Sequence, residues 1–391
     1  MFDLSTEALT KLGAEITTRE IKQQPELWLE TLQLYQEQKP AIDAFLQRVI
    51  DSAQGKPVKV IFTGAGTSEY VGNSIVHYLE TRGDRQHFRF LSIATTDIVA
   101  APHYYFYPED TVLLVSFARS GNSPESLAAV QLADQLIANC YHLSITCAKD
   151  GQLAKASQNH DRHLLLLQPE RSNDAGFAMT GSFSCMMLTA LLVFDQTSSE
   201  LDKETFVRTA ARLGESVVER ESDLQALVDL DFHRIAYLGS GSLSGLTREA
   251  QLKMLELTAG EIVTVYDSSM GFRHGPKSFI DHRTIVIGFV NNDPYVRQYD
   301  LDVLEEVASD AIAVKTLAIA QQGEQVFSGP TFGFDNQVLL PDAYLALPYI
   351  MVAQVIALLS SVKVNNLPDT PSATGTVNRV VKGVIIHEYQ K

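Results

Sequence analysis

Short apolar, β-branched runs alternate along this chain with longer stretches in which apolar residues recur every three or four positions. Runs of the first kind stand at 59–63, 88–93, 111–117, 141–147 and 163–168, and again at 234–239 and 284–289. Each reads as a strand buried on both faces of a parallel sheet. After residue 111–117 the spacing turns helical, with Leu127, Val130, Leu132, Ala133, Leu136 and Ile137 on one side. Strand and helix alternating in this way predict an α/β fold with a doubly wound parallel sheet, its ligands at the carboxyl ends of the strands. Residues 5–52 read as helices. Pro25 breaks the pattern and can open a second helix carrying Leu27, Leu29, Leu32 and Leu34. The apolar stretch 343–359 contains Pro348 and Gln354. It is expected to be a buried helix, too short and interrupted to span a membrane.

The second half repeats the first. Lys59-Val-Ile-Phe-Thr-Gly64-Ala-Gly66-Thr67-Ser68 aligns with Arg234-Ile-Ala-Tyr-Leu-Gly239-Ser-Gly241-Ser242-Leu243, and the run from Thr111 aligns with the run from Thr284 at closely similar spacing. Two copies of one α/β unit follow. The predicted organisation is an N-terminal helical segment over 1–50, a first domain over 51–197 and a second over 215–391 with a C-terminal tail. A helical linker falls across about 197–231.

A chain of 391 residues can bury two cores, and a hydrophobic content of 45% with 20% charged residues is that of a globular protein. The net charge of −16 disfavours nucleic acid and anionic membrane surfaces as partners. An anionic substrate must then meet a local concentration of positive charge. Cys140, Cys147 and Cys185 have no CxxC spacing and read as buried free thiols of a reducing cytoplasm. The opening residues form no signal peptide, so the expected location is cytoplasmic. The ten histidines show no i,i+4 or HExxH pairing. No metal site and no cofactor are expected. A G-x-S-x-G elbow is missing as well, which disfavours a Ser-His-Asp hydrolase.

The loop Arg119-Ser120-Gly121-Asn122-Ser123-Pro124-Glu125 joins the strand at 111–117 to the helix that follows. It combines a guanidinium, two hydroxyls, a glycine and a helix start with free N–H groups, which together suit a phosphate monoester. Capping by Ser123 with Pro124 at the first helical position explains those two residues, but not Arg119 and Ser120. The turn Gly64-Ala65-Gly66-Thr67-Ser68 offers Thr67 and Ser68 to the same anion. Glu69 stands where a dinucleotide fingerprint would place its third glycine, so a dinucleotide is disfavoured. The second copy has Val290-Asn291-Asn292-Asp293-Pro294 in place of the arginine loop. Phosphate is therefore expected in the first copy, with the second left for another role.

A helix over 245–258 carries two apolar arcs, Leu246, Ala250, Met254 and Leu257 on one and Leu252, Leu255 and Ala259 on the other. Glu249, Lys253 and Glu256 form the stripe between them. On helix geometry alone this is a solvated stripe with a Glu249–Lys253 pair. Apolar flanks make it narrow, however, and a carboxylate between apolar walls suits a base for carbon acids. The irregular loop Gly271-Phe272-Arg273-His274-Gly275-Pro276-Lys277 places His274 among cations, which favour the neutral imidazole needed for proton transfer. The tail 366–384 is rich in Pro, Gly and hydroxyls and carries Arg379 and Lys382. It reads either as a flexible end that closes over an anion or as a tether on a neighbour.

Gly64-Ala-Gly-Thr-Ser, Ser116-Phe-Ala-Arg-Ser-Gly-Asn-Ser-Pro-Glu, the duplication and Phe272-Arg-His-Gly-Pro-Lys together resemble the sugar isomerase (SIS) domain proteins, above all the isomerase half of glucosamine-6-phosphate synthase. Arg19-Glu-Ile-Lys-Gln-Gln-Pro resembles the segment that opens that half. The run from Gly271 to Phe279 and the ending Gly375-Thr-Val-Asn-Arg-Val-Val look like the AgaS branch. That branch is assigned to deaminating isomerisation of galactosamine 6-phosphate and is often labelled tagatose-6-phosphate ketose/aldose isomerase. The resemblance implies two tandem flavodoxin-like SIS domains preceded by N-terminal helices. It implies phosphate contacts from Ser68, Arg119, Ser120 and Ser123, with Gly66, Thr67, Gly121 and Asn122 in the same loops. It makes Glu256 the base that moves a proton between C1 and C2, and His274 the ring opener, reaching into the neighbouring subunit of a homodimer with shared active sites. Lys253 would support the hydroxyls or the enediol, and Lys382 would be the closing lysine of the tail. Ala118 and Arg119 stand where the synthase has serine and glutamine, and Asn378 where it has its C-terminal arginine. The chain also lacks the synthase's N-terminal cysteine nucleophile, so ammonia from glutamine is not expected.

The reaction implied is conversion of galactosamine 6-phosphate to tagatose 6-phosphate and ammonia. A plain aldose–ketose isomerase of tagatose 6-phosphate or a related sugar phosphate is the alternative, and a non-catalytic sugar-phosphate sensor the alternative of another class. A sensor needs the Arg119 loop but neither Glu256 nor His274. The configuration at C4 rests on pocket shape.

Overall fold

The computed structural model describes every residue except 159, 336, 337, 380, 382 and 391. Lys382, one of the candidates above, therefore lies outside the described residues. The chain opens with three helices, α1 (Thr6–Lys11), α2 (Glu15–Lys22) and α3 (Gln24–Ser52). Pro25 sits in the first turn of α3, where its missing N–H costs no hydrogen bond.

The first sheet is built from β1 (Val58–Thr63), β2 (Phe88–Ser92), β3 (Thr111–Ala118), β4 (Asn139–Thr146) and β5 (His163–Leu167). All of its pairings are parallel, in the order β2-β1-β3-β4-β5. Between the strands run α4 (Thr67–Arg82), α5 (Thr95–Ala100), α6 (Pro124–Leu136) and α7 (Gln152–Ala156). After β5 come α8 (Gly181–Phe194), α9 (Glu200–Glu219) and α10 (Glu221–Val228).

The second sheet comprises β6 (Arg234–Gly239), β7 (Val263–Ser268), β8 (Thr284–Phe289), β9 (Lys315–Gln321) and β10 (Thr331–Phe334). They are parallel in the order β10-β9-β8-β6-β7, which read from its other end is the strand order of the first sheet. Its helices are α11 (Ser242–Leu257), α12 (Pro294–Ser309) and α13 (Asp342–Lys363). The runs aligned by sequence thus hold equivalent places: β1 with β6 and β3 with β8, paired at the centre of each sheet.

The central strands are almost wholly buried, as continuous apolar runs must be when helices cover both faces. On one face of the first sheet Ile61, Val112 and Leu114 meet Ala129, Leu132 and Ala133 of α6. On another side Phe62 and Phe90 pack around Phe194 of α8, with ring centroids 5.6 Å from it. In the second sheet Ala236, Val286 and Ala318 pack on Leu301, Leu304 and Val307 of α12. Burying a side chain of this size stabilises the fold by about 1.5–3 kcal/mol.

Two compact units result, and their limits differ from the predicted domains. One comprises Glu26–Asp174, Gly181–Glu204 and Val377–Lys391; the other comprises Met1–Pro25, Ala175–Thr180 and Thr205–Thr376. The end of the tail therefore groups with the first sheet rather than the second. Tyr389 packs against the Ile61–Leu136 core, and Gln135 donates to its carbonyl at 3.4 Å. The first 25 residues group with the second sheet. There Glu20, a buried carboxylate, accepts from the N–H groups of Ala175 and Gly176, and Asp369 caps α2 through the N–H groups of Ile16 and Thr17.

The helix α13 also corrects an expectation. It runs for 22 residues straight through Pro348, long and apolar enough by composition to cross a membrane, and 94% of its most apolar window is buried inside the protein. It packs on α11, α10 and α2. Its one buried amide, Gln354, accepts a hydrogen bond from Gln24 at 2.6 Å.

Candidate functional site

The strand order of the first sheet reverses between β1 and β3, and in parallel sheets ligands bind outside the carboxyl ends of the strands at such a point. Both candidate loops leave the sheet there, since Thr63 pairs with Ser116 at the ends of the two strands. Gly64 is required by close approach: a Cβ on it would lie 2.5 Å from the backbone of Ser68. Gly66 is required by its φ of +57°, which lets α4 begin without a side-chain cap. Thr67 and Ser68 occupy the first turn of α4 and are buried.

In the second loop Arg119 is only 6% exposed. Gly121 turns the chain at φ +65°, and its carbonyl accepts from Leu153 N–H at 3.1 Å. Asn122 Oδ1 accepts from the N–H of Gln152, so this side chain braces the loop on α7. Ser120 Oγ accepts from Asn122 N–H at 3.3 Å. Ser123 is the N-cap residue of α6 and Pro124 its first helical residue, as the capping reading required, yet the Ser123 side chain makes no capping hydrogen bond. Capping alone therefore leaves its hydroxyl unexplained. Beside the loop lies a cavity of about 450 Å³ whose lining includes Ser120, Asn122, Gln168 and Arg379.

Arg379 is the residue that the sequence singled out too weakly. The guanidinium of Arg119 donates to its carbonyl at 2.8 Å, and Arg379 in turn donates to the carbonyl of Asp174. Asp174 receives the N–H groups of Gly181 and Ser182 at the start of α8. No spacing rule could reveal this contact, which joins positions 260 residues apart. Arg119→Ala should raise KM about 10- to 150-fold, because a charge-assisted phosphate contact is worth roughly 1.5–3 kcal/mol. Steady-state kinetics check this, and a loss confined to kcat would count against a phosphate role.

The equivalent crevice of the second sheet is filled by the protein's own carboxylates. The β6–α11 turn has the same backbone, with Gly241 at φ +61°. Asp342 Oδ2 accepts from Ser242 N–H at 3.1 Å, and a Cβ on Gly241 would meet that oxygen at 2.8 Å. Asp300 accepts from the hydroxyls of Ser240 and Ser269 and from Asn291 N–H. Burial pushes its carboxyl above the usual range, opposed by those hydrogen bonds.

The second candidate group lies on α11. Glu249 and Lys253 are fully buried, while Leu252 and Leu255 on the second apolar arc are only half-buried. The solvated-stripe reading is thereby overturned. The charged row turns inward because α11 packs on α13 as well as on β6 and β7. Lys253 Nζ is 3.3 Å from Glu249 Oε1 and bonds Glu256 Oε2. Burial pulls the lysine down, but the two carboxylates outweigh it and hold the ammonium above the usual lysine range. Glu256 is 21% exposed, and its Oε1 has no partner among the described residues. Its surroundings thus include an ammonium as well as apolar walls. The lysine fixes the carboxylate and leaves one oxygen open.

His274 is exposed, between the short helical turns Gly271–Arg273 and Pro276–Phe279. The cations expected to surround it are engaged elsewhere. Arg273 Nε bonds Glu306 at 2.6 Å, and Lys277 bonds Glu306 and Asp310 of the α12 end. The cation cluster is balanced by acids that the sequence reading had not connected to it.

A family model for the SIS domain matches residues 55–194. The chain is 42% identical over 377 residues to D-galactosamine-6-phosphate deaminase AgaS of Escherichia coli, covering 96% of each protein. It is 38% identical over 389 residues to the protein of that name in Shewanella sp. (strain ANA-3), covering 99% of this chain and 96% of that one. Among solved structures it is similar to tagatose-6-phosphate ketose/aldose isomerase from Escherichia coli. There the TM-score is 0.87 and the identity 39%, over 96% of this chain and 97% of that one.

Proposed function

The chain belongs to the SIS-domain family, in the group of the D-galactosamine-6-phosphate deaminases AgaS, and from that premise we propose that it deaminates and isomerises an amino-sugar 6-phosphate. The substrate is galactosamine 6-phosphate, and the products are tagatose 6-phosphate and ammonium. The observation that carries the reading is the row on α11, where a buried ammonium holds Glu256 with one carboxylate oxygen open.

In this proposal the arginine loop and the turn before α4 take the phosphate, which the helix starts and Arg119 neutralise. His274 assists opening of the sugar ring. Glu256 removes the C2 proton from the open-chain amino aldose, giving an enolamine, and returns it at C1. The resulting ketimine takes up water and releases ammonium, leaving the ketose phosphate. Lys253, fully buried in its pair with both carboxylates, steadies Glu256 rather than reaching the enediol itself.

The test is a panel of hexosamine and ketose 6-phosphates with ammonium and ketose phosphate measured together. Equal amounts of both from galactosamine 6-phosphate are expected. Ketose phosphate from a non-amino aldose phosphate, with no ammonium from any hexosamine phosphate, would leave the plain isomerase. That second reading is favoured by the name of the solved Escherichia coli relative.

The exposure of His274 supports a role outside its own protomer, in a homodimer whose active sites are shared. Glu256→Gln and His274→Ala protomers, each inactive alone, should regain activity when mixed and allowed to exchange. Absence of recovery in proven heterodimers would rule out the shared site.

A further inference from the structure

Away from the arginine loop, at the amino-terminal edge of the first sheet, three side chains of different donor type converge. Asp134 lies in the last turn of α6, and Cys140 and His142 lie two residues apart near the start of β4, on the same face of the sheet. Their ligating atoms are all within 4.8 Å of one another. His142 Nε2 is 2.8 Å from Asp134 Oδ1 and 3.5 Å from Cys140 Sγ. Cys140 and His142 are buried, whereas Asp134 is 56% exposed and reaches in from the helix. The parallel register sets His163 of β5 directly beside His142, with ring centroids 4.5 Å apart. His160 lies against His163 in turn, with ring centroids 4.2 Å apart and the ring planes tilted by 57°.

We propose that Asp134, Cys140 and His142 bind a borderline transition-metal dication of the Zn²⁺ type, with water as the fourth ligand.

Metal–ligand lengths of about 2.3 Å to sulfur and about 2.0–2.2 Å to nitrogen or oxygen, set at a tetrahedral angle, place neighbouring ligands about 3.3–3.6 Å apart. Sγ and Nε2 already stand at that separation. The Asp134–His142 contact must open by roughly half an ångström, as a metal replaces the proton between the two groups, and the Asp134 oxygen, now within 4.8 Å of Cys140 Sγ, must settle at the same separation from it. The exposed carboxylate on the helix end can make that movement. A thiolate and a carboxylate would neutralise the dication, and the imidazole would complete a mixed S, N, O donor set. Hydrogen bonding explains the present arrangement incompletely, because the buried Nδ1 of His142 has no partner among the described residues. With a metal on Nε2, the neutral ring carries its one proton on Nδ1. Residue spacing does not reveal this site, because its ligands come from a helix end and a neighbouring strand rather than from one i,i+4 motif. Its role would be structural, fastening α6 to β4 at the sheet edge opposite the arginine loop.

The test is direct. Full-length protein, stripped of metal by a chelator under reducing conditions, is titrated with Co²⁺ and then Zn²⁺. One Co²⁺ per chain should bind with tetrahedral ligand-field bands and a thiolate-to-cobalt charge-transfer band, and Zn²⁺ should abolish both and raise Tm. Cys140→Ser should lose the charge-transfer band. Asp134→Asn, at a side chain exposed enough to spare the fold, should weaken Co²⁺ binding by at least ~10-fold. No charge-transfer band at equimolar Co²⁺, a band that survives in Cys140→Ser, or unchanged affinity in Asp134→Asn would overturn the site.

Discussion

Glu256→Gln is expected to lower kcat for ammonium release from galactosamine 6-phosphate by ~10²–10⁴-fold, the range over which a general base contributes. The substitution preserves shape and can still accept the hydrogen bond from Lys253 Nζ, so the α11 row should stay in place. What disappears is the carboxylate oxygen proposed to take the C2 proton. KM should change little, because the phosphate contacts proposed here come from the Arg119 loop and the Ser68 turn. Exchange of the C2 proton with solvent deuterium, followed by NMR, should fall by the same factor as kcat. A variant with normal exchange and slow ammonium release would move the defect to ketimine hydrolysis and remove Glu256 as the base.

Lys253→Met should destabilise the protein by about 3–5 kcal/mol, the cost of removing one partner from a buried ion pair. Methionine fills a similar volume, so the loss is electrostatic rather than a cavity. The ammonium faces Glu249 Oε1 inside the protein and Glu256 near its surface, and both carboxylates lose that contact. Because the folded-state pKa of Lys253 lies above its ordinary value, its contribution is fully present below the unfolded lysine pKa of about 10.5. It fades only as pH rises through the still higher folded value. The deficit in Lys253→Met should therefore be constant from neutral pH to pH 9. Urea denaturation at several pH values measures it. The double variant Glu249→Gln/Lys253→Met should recover part of the loss, since an amide needs no counter-charge. A single variant within ~0.5 kcal/mol of wild type would mean that Glu249 is neutralised by some other group.

Much of the architecture is legible in the chain because it depends on periods of two and 3.6 residues and on turn chemistry within a few positions. The strands at 58–63, 111–118 and 284–289 declare themselves as continuous apolar runs. Gly64 and Gly66, with their equivalents Gly239 and Gly241, mark two turns of the same shape. Two strands, β7 and β10, carry no comparable signal, whereas β9 does carry an apolar run, Leu317 to Ala320, that the reading passes over. β7 is a sheet edge with Val263 and Tyr266 exposed, and β10 is the four-residue edge at the other side. Edge strands need not be apolar on both faces. The helix 342–363 was legible as buried, but not in its length, because Pro348 reads as an interruption that packing on every side overrides.

The sequence by itself determined the α/β class, the duplication of one strand order, and the loop that gathers a guanidinium, hydroxyls and a helix start. Those features rest on neighbours in the chain. Tertiary structure alone decided which charges are buried and what they face. Helical spacing puts Glu249, Lys253 and Glu256 on one stripe, but only the packing of α11 on α13 turns that stripe inward. Asp342 closes the second crevice from a helix a hundred residues further along the chain, and Arg379 meets Arg119 across 260. Asp134, Cys140 and His142 converge because a helix end returns beside the strand that follows it. Such contacts depend on register and crossover direction, which no local period encodes, and burial then sets their strength by removing the water that would screen them.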